Sequence, residues 1–185
     1  MLDLLQQVYF LKQLPRTGWL FAGVVQPESV AEHSFATTWL ALLLTETING
    51  DLPAQGLTAP LARAQVMEIA LVHDLAESIL TDLPKRSTQL LGAHLKHGAE
   101  ANAMQQLFHA IPNGDHYIQS WQAYADGATP EARLVRDADK LEMVHQALRY
   151  EQGGQRNLAD FWQHHQWNYP ISKQVFEQLQ RLRSA

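Results

Sequence analysis

Residues 66–77 read Val66-Met67-Glu68-Ile69-Ala70-Leu71-Val72-His73-Asp74-Leu75-Ala76-Glu77. Val66, Ile69, Ala70 and Val72 recur at intervals that paint one face of an α-helix, and Leu61 extends the stripe upstream. A helix over about 59–79 is predicted, ending ahead of Thr81-Asp82-Leu83-Pro84. The same three- and four-residue spacing runs through most of the chain, with no sustained period-two run of β-branched residues. The fold class is therefore all-α.

Working outward, helices are predicted over about 2–14, 29–47, 87–110, 114–125, 130–151 and 171–183. Pro15 stops the first, because proline removes a backbone donor and restricts the residue before it. A loop over 15–28 holds Gly18, Gly23 and Pro27, and Ser29 or Glu28 caps the next helix. Pro130 suits a first helical turn, and Gly153-Gly154 closes that helix. The late aromatic stretch, Phe161-Trp162 to Trp167-Asn168-Tyr169-Pro170, reads as core or dimer surface. With no repeat or low-complexity tract, 1–185 is expected to be one domain, its chemical core over about 29–150 and a C-terminal helix over about 171–183.

The 185 residues are 46% hydrophobic, enough for one core without disulfide or zinc staples. The chain has no Cys, which excludes a thiolate metal cage, an Fe–S cluster and a Cys nucleophile. Any transition metal must be held by His and carboxylates, and nine His with nineteen Asp plus Glu supply both. A net charge of -5 argues against a nucleic-acid polymer as partner while leaving small anions open to a local Arg or Lys. Met1-Leu2-Asp3 lacks a basic leader, and Trp39 to Leu44 is far too short to span a bilayer. No membrane association and a cytoplasmic location are expected.

The chemistry gathers in three segments: His33 in Pro27-Glu28-Ser29-Val30-Ala31-Glu32-His33-Ser34, His73-Asp74, and Asp139 in Asp137-Ala138-Asp139-Lys140-Leu141-Glu142. Two imidazoles and two carboxylates make a mixed nitrogen and oxygen site for a divalent ion, with positions left for water and substrate. Glu77, four residues after His73, lies on the same helical face one turn later. Asp137 and Asp139 sit about 200° apart on a helix, so only one of them faces such a site.

In order and spacing these segments resemble the HD-domain metal-dependent phosphohydrolases, and within them the 5′-deoxynucleotidase family. The matching pieces are Leu11-Lys12-Gln13-Leu14-Pro15-Arg16-Thr17-Gly18-Trp19, the segment ending at His33, Val72-His73-Asp74 with Glu77, Asp82-Leu83-Pro84, and the segment around Asp139. The resemblance implies an HD-domain helical bundle and a divalent cation (Mn, Co, Fe, Ni, Zn or Mg) on His33, His73, Asp74 and Asp139. It selects Asp139 over Asp137.

It further implies hydrolysis of deoxyribonucleoside 5′-monophosphates, with Arg16 on the phosphate and Trp19 on the nucleoside. Glu77 would be the proton donor or base, Asp82 and Lys85 would belong to the pocket wall, and His33, Asp74 and Asp139 would face the substrate from the metal side. Arg16, Glu77 and Asp82 form the implied catalytic set. A homodimer is implied as well. Relatives often carry Gly where this chain has Thr81, so the loop before Asp82 is expected to take its own path. Two other readings remain: an HD phosphohydrolase for another small phosphorylated metabolite, and a non-catalytic helical module stabilised by metal. His94, His97, His109, His116, His145, His164 and His165 have no role in any of them.

Overall fold

The computed structural model describes residues 1–184. Among them the elements are helical: α1 (Leu2–Tyr9), α2 (Thr17–Phe21), α3 (Val30–Gly50), α4 (Arg63–Val72), α5 (Glu77–Leu80), α6 (Lys85–Leu91), α7 (Ala93–Phe108), α8 (Gly114–Asp126), α9 (Pro130–Gln152) and α10 (Pro170–Ser184). The two longest, α3 and α9, pack on each other, α4 packs on both, and α8 and α10 flank them. Their starts are fixed locally. Ser29 caps α3 in a capping box with Glu32, and the Thr129 hydroxyl accepts from Ala132 N–H ahead of Pro130.

The main core joins Ala41, Leu44 and Ile48 of α3 to Val66, Ile69 and Ala70 of α4 and to Leu134, Val135, Ala138 and Leu141 of α9. A second cluster lies where the end of α4 meets α7 and α8, around Val72, Ala76, Met104, Phe108 and Trp121. Burial of these side chains is the main force holding the helices together.

Three stretches depart from the sequence reading. The helix expected over 59–79 is two helices, α4 and α5, separated at His73-Asp74-Leu75-Ala76. There Leu75, Glu77 and Ser78 donate to carbonyls three residues back, the tighter pattern of a 3₁₀ turn. The helix expected over 87–110 breaks at Gly92, whose φ of 90° is open to glycine and unfavourable to other residues. The loop expected over 15–28 contains α2, and Arg16 N–H to Glu28 O (2.9 Å) with Val30 N–H to Leu14 O (2.9 Å) clamps it to the start of α3.

The late aromatic residues resolve toward the core. Trp162 and Tyr169 are buried, and Phe161 and Trp167 pack against the same cluster. No helix among the described residues is long and apolar enough to cross a membrane.

Candidate metal centre

His33 projects from α3, His73 and Asp74 from the turn after α4, and Asp139 from α9. Each of these comes from an element at the centre of the packing, so the site sits at the junction of α3, α4 and α9. Ligand atoms of His33, His73 and Asp139 lie within 4.8 Å of one another. His33 Nε2 is 3.2 Å from Asp139 Oδ1 and 3.6 Å from Asp74 Oδ2, and His73 Nε2 is 3.3 Å from the same Asp74 oxygen.

The donor set fits a divalent cation on a count of hydrogens. His73 Nδ1–H donates to Ala70 O at 2.7 Å, leaving Nε2 as the lone-pair nitrogen, and that buried atom has no hydrogen-bond partner among the described residues. His33 Nδ1–H donates to Glu142 Oε2 at 2.5 Å, so its Nε2 also faces the carboxylates. Two imidazole lone pairs against two carboxylates repel unless positive charge lies between them.

The proton affinities carry the same message. Burial and Arg16 push His33 down, but Asp139 and Glu142 outweigh them and raise it to about 10. Burial pushes His73 down and Asp74 reverses it, for a net rise. Burial would raise Asp139 and Asp74, yet the imidazoles and Arg16 hold both well below the usual carboxylate range. A pocket that favours protons on its imidazoles and none on its carboxylates attracts positive charge, and a divalent cation would bind there by displacing those protons.

Asp137 is settled by the same helix. It is fully buried on the opposite side, where it accepts from Asn168 N–H, Asn168 Nδ2 and Tyr169 N–H at 2.8–3.1 Å. It ties the chain before α10 to α9 and takes no part in the site.

A cleft of about 1090 Å³ opens over the site, lined by Arg16, Trp19, His73, Asp74, Glu77, Asp82, Lys85 and Asp139 among others. Arg16 Nη1 donates to Asp74 Oδ2 at 3.2 Å. Burial opposes its charge, but Asp74, Asp139, Glu77 and Asp82 together raise its pKa above the usual value. Glu77 is 7% exposed, and its Oε2 has no hydrogen-bond partner among the described residues. Burial first, then Asp74 and Asp82, raise it well above the ordinary carboxylate value, which favours its protonated form.

Asp82 accepts from Thr17 N–H while Thr17 Oγ1 donates to Asp82 O at 3.0 Å, which fastens its loop beside Arg16. Thr81, just before it, sits at φ 72° and ψ 165°, a conformation glycine adopts freely and a β-branched residue does not. Lys85 opens α6 on the cleft wall.

Two sequence expectations are narrowed. Trp19 lines the cleft but is 1% exposed, stacked on Phe161 at 4.1 Å and donating its indole N–H to Glu28 Oε1 at 2.9 Å. It is a core anchor that offers the cleft little free surface. His33 is fully buried and is not among the lining residues, so it is shielded from direct substrate contact.

Other participants went unassigned in the sequence. Tyr124 donates to Asp139 Oδ2 at 2.7 Å, and burial and Asp139 keep its hydroxyl protonated. His97, His164 and His165 line the cleft rather than lying apart from it. The signal for Glu142 was its place one turn after Asp139. Glu28 carried no such signal.

An all-α bundle with His and Asp donors converging from α3, α9 and the turn after α4 at the foot of a cleft has the architecture that suits a metal-dependent hydrolase. The HD domain family model matches residues 8–180. Among curated proteins, the 5′-deoxynucleotidase HDDC2 of Danio rerio is 33% identical over 167 residues, covering 88% of this chain and 76% of that protein. The 5′-deoxynucleotidase hdd1 of Schizosaccharomyces pombe is 33% identical, with 88% and 80% covered. Among solved structures, the PH0347 protein of Pyrococcus horikoshii superposes with a TM-score of 0.83 at 32% identity, covering 98% of this chain and 99% of that one. The chain belongs to the HD domain family.

Proposed function

We propose that this protein is a metal-dependent 5′-deoxynucleotidase, releasing phosphate from deoxyribonucleoside 5′-monophosphates. The observation that carries the reading is the donor set of buried His33 and His73 with half-buried Asp74 and Asp139, its unpartnered imidazole nitrogen, and Arg16 and Glu77 set beside it in one cleft. The relatives named 5′-deoxynucleotidase support the substrate class.

His33, His73, Asp74 and Asp139 would hold the divalent ion, which supplies Lewis acidity for the phosphoryl oxygens and for the attacking water. Arg16 meets the phosphate with a planar fork of donors, and the Thr17–Asp82 contacts hold its loop in place. Glu77, whose proton affinity burial raises, donates its proton to the nucleoside 5′ oxygen as the P–O bond breaks and the bond from water to phosphorus forms. Tyr124 fixes Asp139 throughout. A structural metal site requires neither Arg16 nor a carboxyl of raised proton affinity beside it in the cleft, which sets the enzyme reading above the binding module.

The test is phosphate release after chelator treatment and reloading with Mn, Co, Fe, Ni, Zn or Mg. The panel holds the deoxynucleoside 5′-monophosphates, the ribonucleoside 5′-monophosphates and p-nitrophenyl phosphodiesters. Metal-dependent release from the deoxynucleotides is expected. Inactivity on all of them with every ion, alongside turnover of a phosphodiester, moves the assignment to another small phosphorylated metabolite.

We further propose one domain, since α10 packs back on α9 and α3, and a cytoplasmic location, which the absence of Cys suits. A homodimer is also proposed. Phe35, Trp39 and Leu43 recur every four residues on α3 and are 74%, 58% and 50% exposed, with Met67 and Leu71 exposed on the adjoining α4. Light scattering of the parent chain and of Trp39→Lys tests this: a dimer that becomes a monomer supports it, and a monomeric parent contradicts it.

A further inference from the structure

Glu142 has no part in the reaction described above, yet it is 5% exposed and places Oε2 2.5 Å from Nδ1 of His33. It stands one turn after Asp139 on α9, so one stripe of one helix carries both a metal-facing carboxylate and this second one. The two imidazoles of the centre are set by different devices. His73 Nδ1–H is held by a backbone carbonyl of its own helix, Ala70 O, which no substitution removes. His33 Nδ1–H is held by a side chain reaching across from α9. Other polar groups near the ring, Asp139 Oδ1 at 3.2 Å and Thr37 Oγ1 at 3.4 Å, lie at Nε2, the atom that would face the cation, so Glu142 is the partner of Nδ1.

Beside Glu142 lies Glu28; one carboxylate oxygen from each and an imidazole nitrogen of His33 lie within 4.8 Å of one another. Glu28 is itself anchored by the Trp19 indole N–H and, through its backbone N–H, by the Tyr150 hydroxyl at 2.7 Å. Glu142 is itself buried, and its Oε2 has the imidazole as its side-chain partner.

We propose that Glu142 is the positioning residue of the metal centre: it fixes the His33 ring and tautomer so that Nε2 presents its lone pair to the cation. The proposal rests on the metal reading above. A carboxylate on the far nitrogen also makes the imidazole a better donor, and loss of such an outer partner costs about 10- to 100-fold in metal affinity.

The test is calorimetric titration with Mn²⁺ of the chelator-treated parent, Glu142→Ala and Glu142→Gln, with the absorption spectrum of the Co²⁺-loaded chains and the melting temperature of the metal-free ones. One ion per chain is expected for the parent. Affinity falls about 10- to 100-fold in Glu142→Ala, and less in Glu142→Gln, whose amide oxygen still accepts from Nδ1–H without the charge. The Co²⁺ bands shift in both variants.

Unchanged affinity and spectrum in folded variants overturn the proposal, as does a lower metal-free melting temperature with no change in affinity. Two ions in the parent and one in Glu142→Gln would make Glu28, His33 and Glu142 a cation site in their own right and also overturn it. A parent that binds no ion overturns the metal reading itself, a result distinct from the other three.

Discussion

Asp137 and Asp139 are the same residue type, two positions apart on α9, and the fold gives them opposite work. Asp137 turns to the side of α9 covered by the segment before α10, where three donors from Asn168 and Tyr169 satisfy it. Asp139 turns to the cleft, where its partners are the His33 imidazole and the Tyr124 hydroxyl. One carboxylate is consumed by backbone amides and closes the structure. The other keeps an oxygen facing the centre of the site. The difference shows that a carboxylate's role is set by what its face of the helix meets: Asp137 is fully buried among donors, while the Asp139 side chain stays 26% exposed at the cleft.

Asp139→Asn should break the comparison on the functional side. Turnover is expected to fall to background and Mn²⁺ affinity to drop by more than the roughly 100-fold an outer partner costs. Circular dichroism and thermal melting of the metal-free chain should change little. Retention of both activity and metal binding would transfer the ligand role elsewhere.

Glu77→Gln sharpens the contrast between acids whose proton affinity the site lowers, Asp74 and Asp139, and one whose proton affinity it raises. A loss of about 10²–10⁴ in kcat is expected with metal binding preserved. Because burial, Asp74 and Asp82 raise Glu77 in the folded chain above 4.5, the folded state holds a proton that the unfolded state releases. Its stabilisation is full below pH 4.5 and is lost as pH rises through the folded value. The parent should therefore lose activity on the alkaline side as Glu77 ionises, and Glu77→Gln should lack that limb. A full rate with an unchanged pH profile would remove Glu77 from the reaction.

Asp137→Asn breaks the structural side. Its amide group sets hydrogens against the Asn168 and Tyr169 donors, at a cost of about 1–3 kcal/mol, or roughly 2–4 °C of Tm for each kcal/mol in a chain of this size. Mn²⁺ affinity should stay at the parent value. A variant that melts normally but binds metal poorly would invert the assignment of the two residues.

The smallest effect expected is a gain. Thr81 holds a backbone conformation that costs a non-glycine residue on the order of 1–3 kcal/mol, partly offset by the unfolded-state entropy that glycine adds. Thr81→Gly should stabilise by about 1 kcal/mol on melting. No gain in Tm would mean that the loop carries no strain at this position.

Much of this was legible in the sequence because it depends on period and order. The helical class, α3, α8, α9 and α10 follow from apolar spacing and from Ser29, Pro130 and Gly153, and the segments holding His33, His73-Asp74 and Asp139 stand out by type. The break at His73 was not legible, because a 3₁₀ turn preserves enough of the apolar stripe to pass for continuous helix. Gly92 was hidden in a polar helix that has no stripe to interrupt. Glu142 is visible as a residue one turn after Asp139, but its meaning depends on an imidazole 109 positions away. Trp19 shows the converse: its context suggested a nucleoside wall, while its exposure of 1% makes it a pillar of the core.

The central claim is that one divalent cation sits among His33, His73, Asp74 and Asp139 and is the seat of phosphate release. Anomalous diffraction from crystals of the Mn²⁺-loaded protein tests it directly. The account predicts a single peak per chain bounded by Nε2 of His33, Nε2 of His73 and the carboxylates of Asp74 and Asp139, at the foot of the cleft beside Arg16. A peak among Glu28, His33 and Glu142 instead, or no peak between the two imidazoles at saturating Mn²⁺, would contradict it.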